Sequence, residues 1–174
     1  TTYANESGGD PACIPDLTYE DFLDFHRRYY HPCNSYIYLY GDMDAAEKLD
    51  WMDRAYLSHY EKISLDSKIR LQQPFEKPQE VGRKYSIASS ESETDNTYLS
   101  YSAVIGTTLQ PQLSLAFEIL DYALLSAPGA PLRQALLDAK IGKDVIGGFD
   151  SSTYQPVFTV TAKNANASEK QRFV

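Results

Sequence analysis

The chain has 174 residues, 43% hydrophobic and 23% charged, enough for one sizeable domain or two small units sharing a core. Lys and Arg number 16 against 24 Asp and Glu, a formal charge of −8 with no basic run. That balance argues against nucleic acid and anionic membrane as partners, because both require a positive surface opposite phosphate. It suits a chamber that favours basic peptides, and it equally suits plain solubility. The 14 tyrosines fit half-buried sheets and peptide-lining surfaces, where an apolar ring and a polar tip are both used.

The first residues, TTYANESGG, lack the pattern of a signal peptide, and no apolar run approaches the eighteen or so residues of a membrane span. Both ends read as cut from something longer. Thr18 begins the first helix: its hydroxyl can cap an early N–H, Asp21 follows three residues on, and Leu17 can staple onto Phe22. Phe22, Phe25 and Tyr29 share one face, and Pro32 ends the helix because the residue before a proline avoids the α region. From Ser35 to Tyr40, Tyr36, Tyr38 and Tyr40 alternate with Ile37 and Leu39, which predicts an interior strand covered on both faces, closed by Gly41. Asp44 with Glu47 caps a further helix carrying Leu49, Met52, Tyr56, Leu57 and Tyr60. Residues 1–61 thus form an α-β-α remnant of one domain.

Residues 62–83 hold two prolines and little periodicity and read as a linker. A second unit, 84–174, opens with alternation over 84–90 and 97–105 around a polar tip, which predicts a long hairpin. A helix from about Pro111 buries Leu113, Phe117, Leu120 and Leu124; Pro131 opens another, and Gly142 supplies its left-handed C-terminal cap. Val145–Phe149 and Val157–Ala162 read as two more strands, and the final residues as the start of a helix. The expected class is α+β: a mostly antiparallel four-stranded sheet with helices on one face.

No catalytic or metal-binding set emerges. His26 and His31 are five residues apart, off the spacing that places two ligands side by side on a helix, and His59 lies on another helix. Cys33 beside His31 suggests a Cys-dependent hydrolase, but adjacency in sequence is not how such pairs assemble, and a small residue at the start of a strand is the plainer reading. Cys13 and Cys33 flank a helix, and two reduced thiols are favoured over a bridge. The Tyr36, Tyr38 and Tyr40 stripe offers either a peptide-lining wall or a core-facing surface.

The block SGGDP…IPDLTYEDFLDFHRRYYHPCNSYIYLYGDMD resembles the end of the first domain in the presequence-protease branch of the pitrilysin–insulinase zinc peptidases. The later ALLSAPGAPLRQALLDAKIGKDV resembles the helix pair of their second domain. The resemblance implies a clamshell of two halves enclosing a chamber that degrades unfolded peptides. It implies zinc held by an H-x-x-E-H helix that precedes the matched region, so that the parent carries zinc and this chain no cofactor. Partners implied are the remaining domains of the same polypeptide and unfolded peptide, with self-association through exposed strand edges; a bacterial-type cytoplasm or, in a eukaryote, an organelle is the implied location. The resemblance carries over Thr18, Tyr19, Gly41 and Asp42, as capping and turn residues rather than catalytic ones. A stand-alone inactive partner subunit is the alternative reading.

Overall fold

The computed structural model describes residues 2–174 and divides into two units, Thr1–Arg70 and Leu71–Val174. In the first unit, helix α1 spans Tyr19–Tyr29 and helix α2 spans Ala45–Ala55. The N–H of Asp21 donates to Thr18 Oγ1 at 3.1 Å and the N–H of Thr18 to Asp21 Oδ2 at 3.4 Å, so two otherwise orphaned donors are satisfied reciprocally. At α2, the N–H of Glu47 donates to Asp44 Oδ1 at 3.0 Å. The chain beyond α1 tightens into a single 3-10 turn, Pro32–Asn34, with the fixed φ of Pro32 at its first position. Helix α2 stops at Ala55, five residues short of the apolar pattern, and Leu57–His59 continue as a separate 3-10 turn.

The interior strand expected at Ser35–Tyr40 does not form. The segment is extended, yet no described residue pairs with it, and its side chains are open on both faces: Tyr38 is 84% and Tyr40 86% exposed, Ile37 53%. Alternation encodes which side chains want cover. A ladder requires a neighbouring strand as well, and none of the described residues supplies one. No described residue of the first unit is buried.

The second unit is built around a three-stranded antiparallel sheet, β1 (Thr97–Val104), β2 (Asp144–Asp150) and β3 (Val157–Ala165), in the order β1-β3-β2. The central strand β3 is buried on both faces at Val160, Thr161 and Ala162. One sheet face carries Leu99, Val145, Val160 and Ala162 and is covered by Leu125, Leu136 and Ile141 from the helical side, which together make the core. On the opposite face Ser100 pairs with Thr161 at 2.6 Å and Ser102 with Thr159 at 2.9 Å, a hydroxyl ladder suited to a wetter surface. The α+β class with helices on one face therefore holds, with three strands instead of four. The missing strand is 84–90. Glu91 folds back there, its N–H bonding Ala88 O at 2.9 Å while its carboxylate accepts from Ala88 N–H at 2.9 Å. Tyr85 packs its ring edge-on to Tyr98 at 5.7 Å, so the segment reaches the start of β1 through side chains without forming a ladder.

Helix α3 (Pro111–Asp121) runs into a π-turn at Tyr122–Ser126, and α4 spans Pro131–Asp138. Contrary to the expectation from sequence, Pro111–Asp138 is long and apolar enough to pass for a membrane-spanning helix by composition. It is interrupted at Ala127–Ala130, where Gly129 has φ +72°, and Leu125 and Leu136 lie in the protein core. The left-handed cap of α4 is also reassigned: Lys140 at φ +56° takes that position. Lys140 N–H bonds Leu137 O at 2.9 Å and Ile141 N–H bonds Leu136 O at 3.0 Å, the paired bonds of a Schellman end. Gly142 at φ +73° comes two residues later, where a Cβ would stand 2.6 Å from Lys163 O, so glycine is needed for backbone contact with β3. A short helix α5, Lys170–Phe173, follows β3.

Candidate functional site

The three histidines do not converge. The His26 ring stacks on Tyr30 at 4.6 Å, while His31 meets the edge of Tyr60 at 5.2 Å. The Nδ1 of His31 accepts the N–H of Cys33 at 3.2 Å, so that nitrogen is engaged by backbone, not by the thiol, and no Cys–His nucleophile is assembled there. Cys13 and Cys33 are both free and exposed. Among the described residues no group of three or more His, Cys, Asp or Glu could hold a metal ion. The residues present therefore do not fit a zinc centre, which needs at least three converging protein ligands.

A cavity of about 860 Å³ lies within the first unit, and its lining includes Phe25, His26, Tyr29, His31, Tyr56 and Tyr60. Its aromatic wall arises because α1 carries an aromatic at every third or fourth position and Tyr56 and Tyr60 pack 4.9 Å apart after α2. The Tyr56 hydroxyl is pushed above its ordinary range by a hydrogen bond with Tyr60 and, secondarily, by desolvation. A tyrosine held more firmly protonated is not an activated base, so this wall offers stacking surface without a nucleophile–base pair.

The residues singled out from sequence are dispersed along the chain. Thr18, Asp21 and Asp44 sit at helix starts, Pro32 opens a 3-10 turn, Gly41 has φ +134°, and Pro131 is the first residue of α4. Gly142 backs onto β3, and Tyr36, Tyr38 and Tyr40 project from the unpaired segment. None of them meets another at a reactive geometry.

A polar network in the second unit escaped the sequence reading. Asp95, at φ +57°, receives Lys143 Nζ at 2.9 Å and Asn166 Nδ2 at 2.8 Å on its carboxylate. Its backbone N–H donates to Asn166 Oδ1 at 2.9 Å and its carbonyl accepts from Asn164 Nδ2 at 3.1 Å. The hydrogen bond from Lys143, then that from Asn166, holds the Asp95 carboxyl below the usual range. Asp95 and Asn164 both occupy the left-handed region, which Asx residues tolerate better than most, but residues seventy apart gave no local signal of their meeting. The network staples the turn before β1 to the end of β3; it is a structural clasp.

Comparisons with known proteins point to a non-catalytic domain. The pattern described as the peptidase M16 inactive domain matches residues 16–173. The chain is 46% identical over 173 residues to Protein HypA of Clostridium perfringens, covering 99% of this chain and 18% of that protein. It is 34% identical to presequence protease 1, chloroplastic/mitochondrial, of Arabidopsis thaliana, covering 98% of this chain and 16% of the relative. Mitochondrial presequence protease of Danio rerio is 31% identical over 163 residues, 91% of this chain and 16% of its own length. The chain therefore spans less than a fifth of these relatives. It belongs to the peptidase M16 inactive-domain family.

Proposed function

We propose that the chain is a non-catalytic segment of a zinc metalloendopeptidase acting on unfolded peptides, where it forms part of the wall of the substrate chamber. The observation that carries this reading is the first unit: two capped helices and an extended apolar segment, with no described residue buried. Such surfaces are made for contact with further protein, and the remaining domains of a longer polypeptide are the partner. In that setting residues 1–61 are the tail of the first domain, 62–83 the linker and 84–174 the second domain. Thr18, Asp21, Pro32, Gly41, Asp44, Pro131 and Gly142 act as shaping residues, and Tyr36, Tyr38 and Tyr40 lie in a strand that the rest of the domain covers.

In this reading the zinc of the parent is held by residues outside this chain, in keeping with the match to an inactive domain. A bacterial cytoplasm or an organelle is the location, in keeping with a clostridial relative and with relatives named for mitochondria and chloroplast. A longer parent is favoured over a stand-alone inactive subunit because 99% of this chain aligns within 18% of the clostridial protein. The reading is tested by titrating the chain with zinc and incubating it with unfolded peptides. Neither stoichiometric zinc binding nor cleavage is expected; cleavage abolished by a chelator would overturn the assignment.

A further inference from the structure

Residues 71–85 have no regular secondary structure yet belong to the second unit, and three contacts distant in sequence hold them there. The N–H of Gln72 donates to Gln155 Oε1 at 2.6 Å, and Gln155 Nε2 donates to the carbonyl of Gln72 at 3.2 Å. One side-chain amide thus satisfies both main-chain groups of a single residue, as a neighbouring antiparallel strand would. Further on, Glu80 pairs with Lys170 of α5. Tyr85 then donates its hydroxyl to Asn96 O and packs against Tyr98.

The anchors stand at opposite ends of the sheet. Gln155 lies just before β3, in the turn whose Pro156 carbonyl accepts the N–H of Ile105 at 2.8 Å. Asn96 lies just before β1, and Lys170 follows the Asn166 turn that is bonded to Asp95, at the other end of both strands. From Gln72 to Glu80 the chain advances eight residues, a reach of at most about 26–29 Å. Strand β3, nine residues from Val157 to Ala165, is itself roughly 27 Å long. The segment is therefore drawn out along the sheet with little slack, bending only at Glu76 and Lys77. Its two fastenings differ in kind. The Gln155 amide is neutral and bidentate, whereas Glu80 and Lys170 form an exposed ion pair that salt screens.

We propose that residues 72–80 are a releasable strap along the second unit, with the Gln155 side-chain amide as its catch. Closed, the strap confines the free part of the linker to residues before Leu71. Opened, it adds the whole of 72–80 to that joint while the sheet stays folded. None of residues 72–80 is buried, so opening costs the two Gln155 hydrogen bonds and the exposed ion pair without uncovering a core. That makes it a local event, well below global unfolding. The strap is a property of the second unit and holds whether or not a longer parent binds zinc.

Two readouts on the full chain test it: amide exchange at Gln72 by NMR, and chymotrypsin cleavage after Phe75 compared with cleavage after Tyr38. Each cleavage rate is normalised to that of a free peptide of the same local sequence. Phe75 is 64% and Tyr38 84% exposed, so exposure alone predicts similar rates. The strap predicts a Gln72 amide exchanging at least about fivefold below its intrinsic rate, and a Phe75 cut at least about fivefold slower than the Tyr38 cut. Gln155→Met keeps the length of the side chain without its amide. It should return Gln72 to its intrinsic rate and bring the Phe75 cut up to that at Tyr38, with β3 amides still protected. Glu80→Gln should speed the Phe75 cut by a smaller factor and leave Gln72 protected. An unprotected Gln72 amide in the unmodified chain, or protection and cleavage unchanged by Gln155→Met, would overturn the proposal. Loss of β3 protection in Gln155→Met would overturn it too, because Gln155 would then hold the sheet together and not the strap.

Discussion

The two units hold similar proportions of apolar residues and use them to opposite ends. In the second, Leu99, Leu125, Leu136, Ile141, Val145, Val160, Ala162 and Ala165 close into one core. In the first, Phe22, Phe25, Leu49, Trp51 and the stripe from Tyr36 to Tyr40 all remain exposed. The difference is one of closure. A strand with neighbours on both sides, as β3 has, gathers helices over its face; a strand segment without neighbours gathers nothing. Amphipathic helices of eleven residues are marginal in water without such a face to pack on.

The contrast can be broken by substitution. Ile141→Ala, at a residue 2% exposed, should cost the second unit about 2–5 kcal/mol in chemical denaturation, whereas Leu49→Ala, at 55% exposure, should change stability by less than about 0.5 kcal/mol. Comparable losses from the two would mean that the first unit has a core of its own. Gly142→Ala should lower stability by about 1–2 kcal/mol or more, because a left-handed φ and a close carbonyl both oppose a Cβ. Thr18→Ala removes a reciprocal cap and should weaken α1 by about 1 kcal/mol, seen as lost helical ellipticity without a change in the main unfolding transition.

The smallest effect concerns Asp95. Its folded carboxyl titrates below the unfolded value, so its contribution is present above the unfolded pKa and is lost as pH falls through the folded one. On acidification below about pH 3.9 the native chain should lose more thermal stability than Asp95→Asn, and identical acid profiles would remove the clasp from the account.

The helices were legible in sequence because their signals are local: Thr18 with Asp21, Asp44 with Glu47 and Pro131 each act within one turn. The strands at β2 and β3 were legible because their apolar alternation found partners. Segments 35–40 and 84–90 carry the same alternation and form no ladder, since a period of two states a preference for cover and says nothing of who provides the hydrogen bonds. Glycine usually fills a left-handed helix cap, yet Lys140 occupies that position and Gly142 answers to a carbonyl across the sheet. The Asp95 clasp was invisible for a related reason: Asn164 and Asn166 reach it only through the fold. What the sequence does convey about the site is the failure of its histidines to reach ligand spacing on one helix.

The first unit, in the reading proposed above, is completed by protein beyond this chain. Hydrogen exchange at the Tyr36–Tyr40 amides tests it most directly, measured for this chain alone and within a longer M16-type polypeptide that contains it. Exchange at unprotected rates is expected in the first case and strong protection in the second. Protection already present in the chain alone, with no self-association in light scattering, would contradict it.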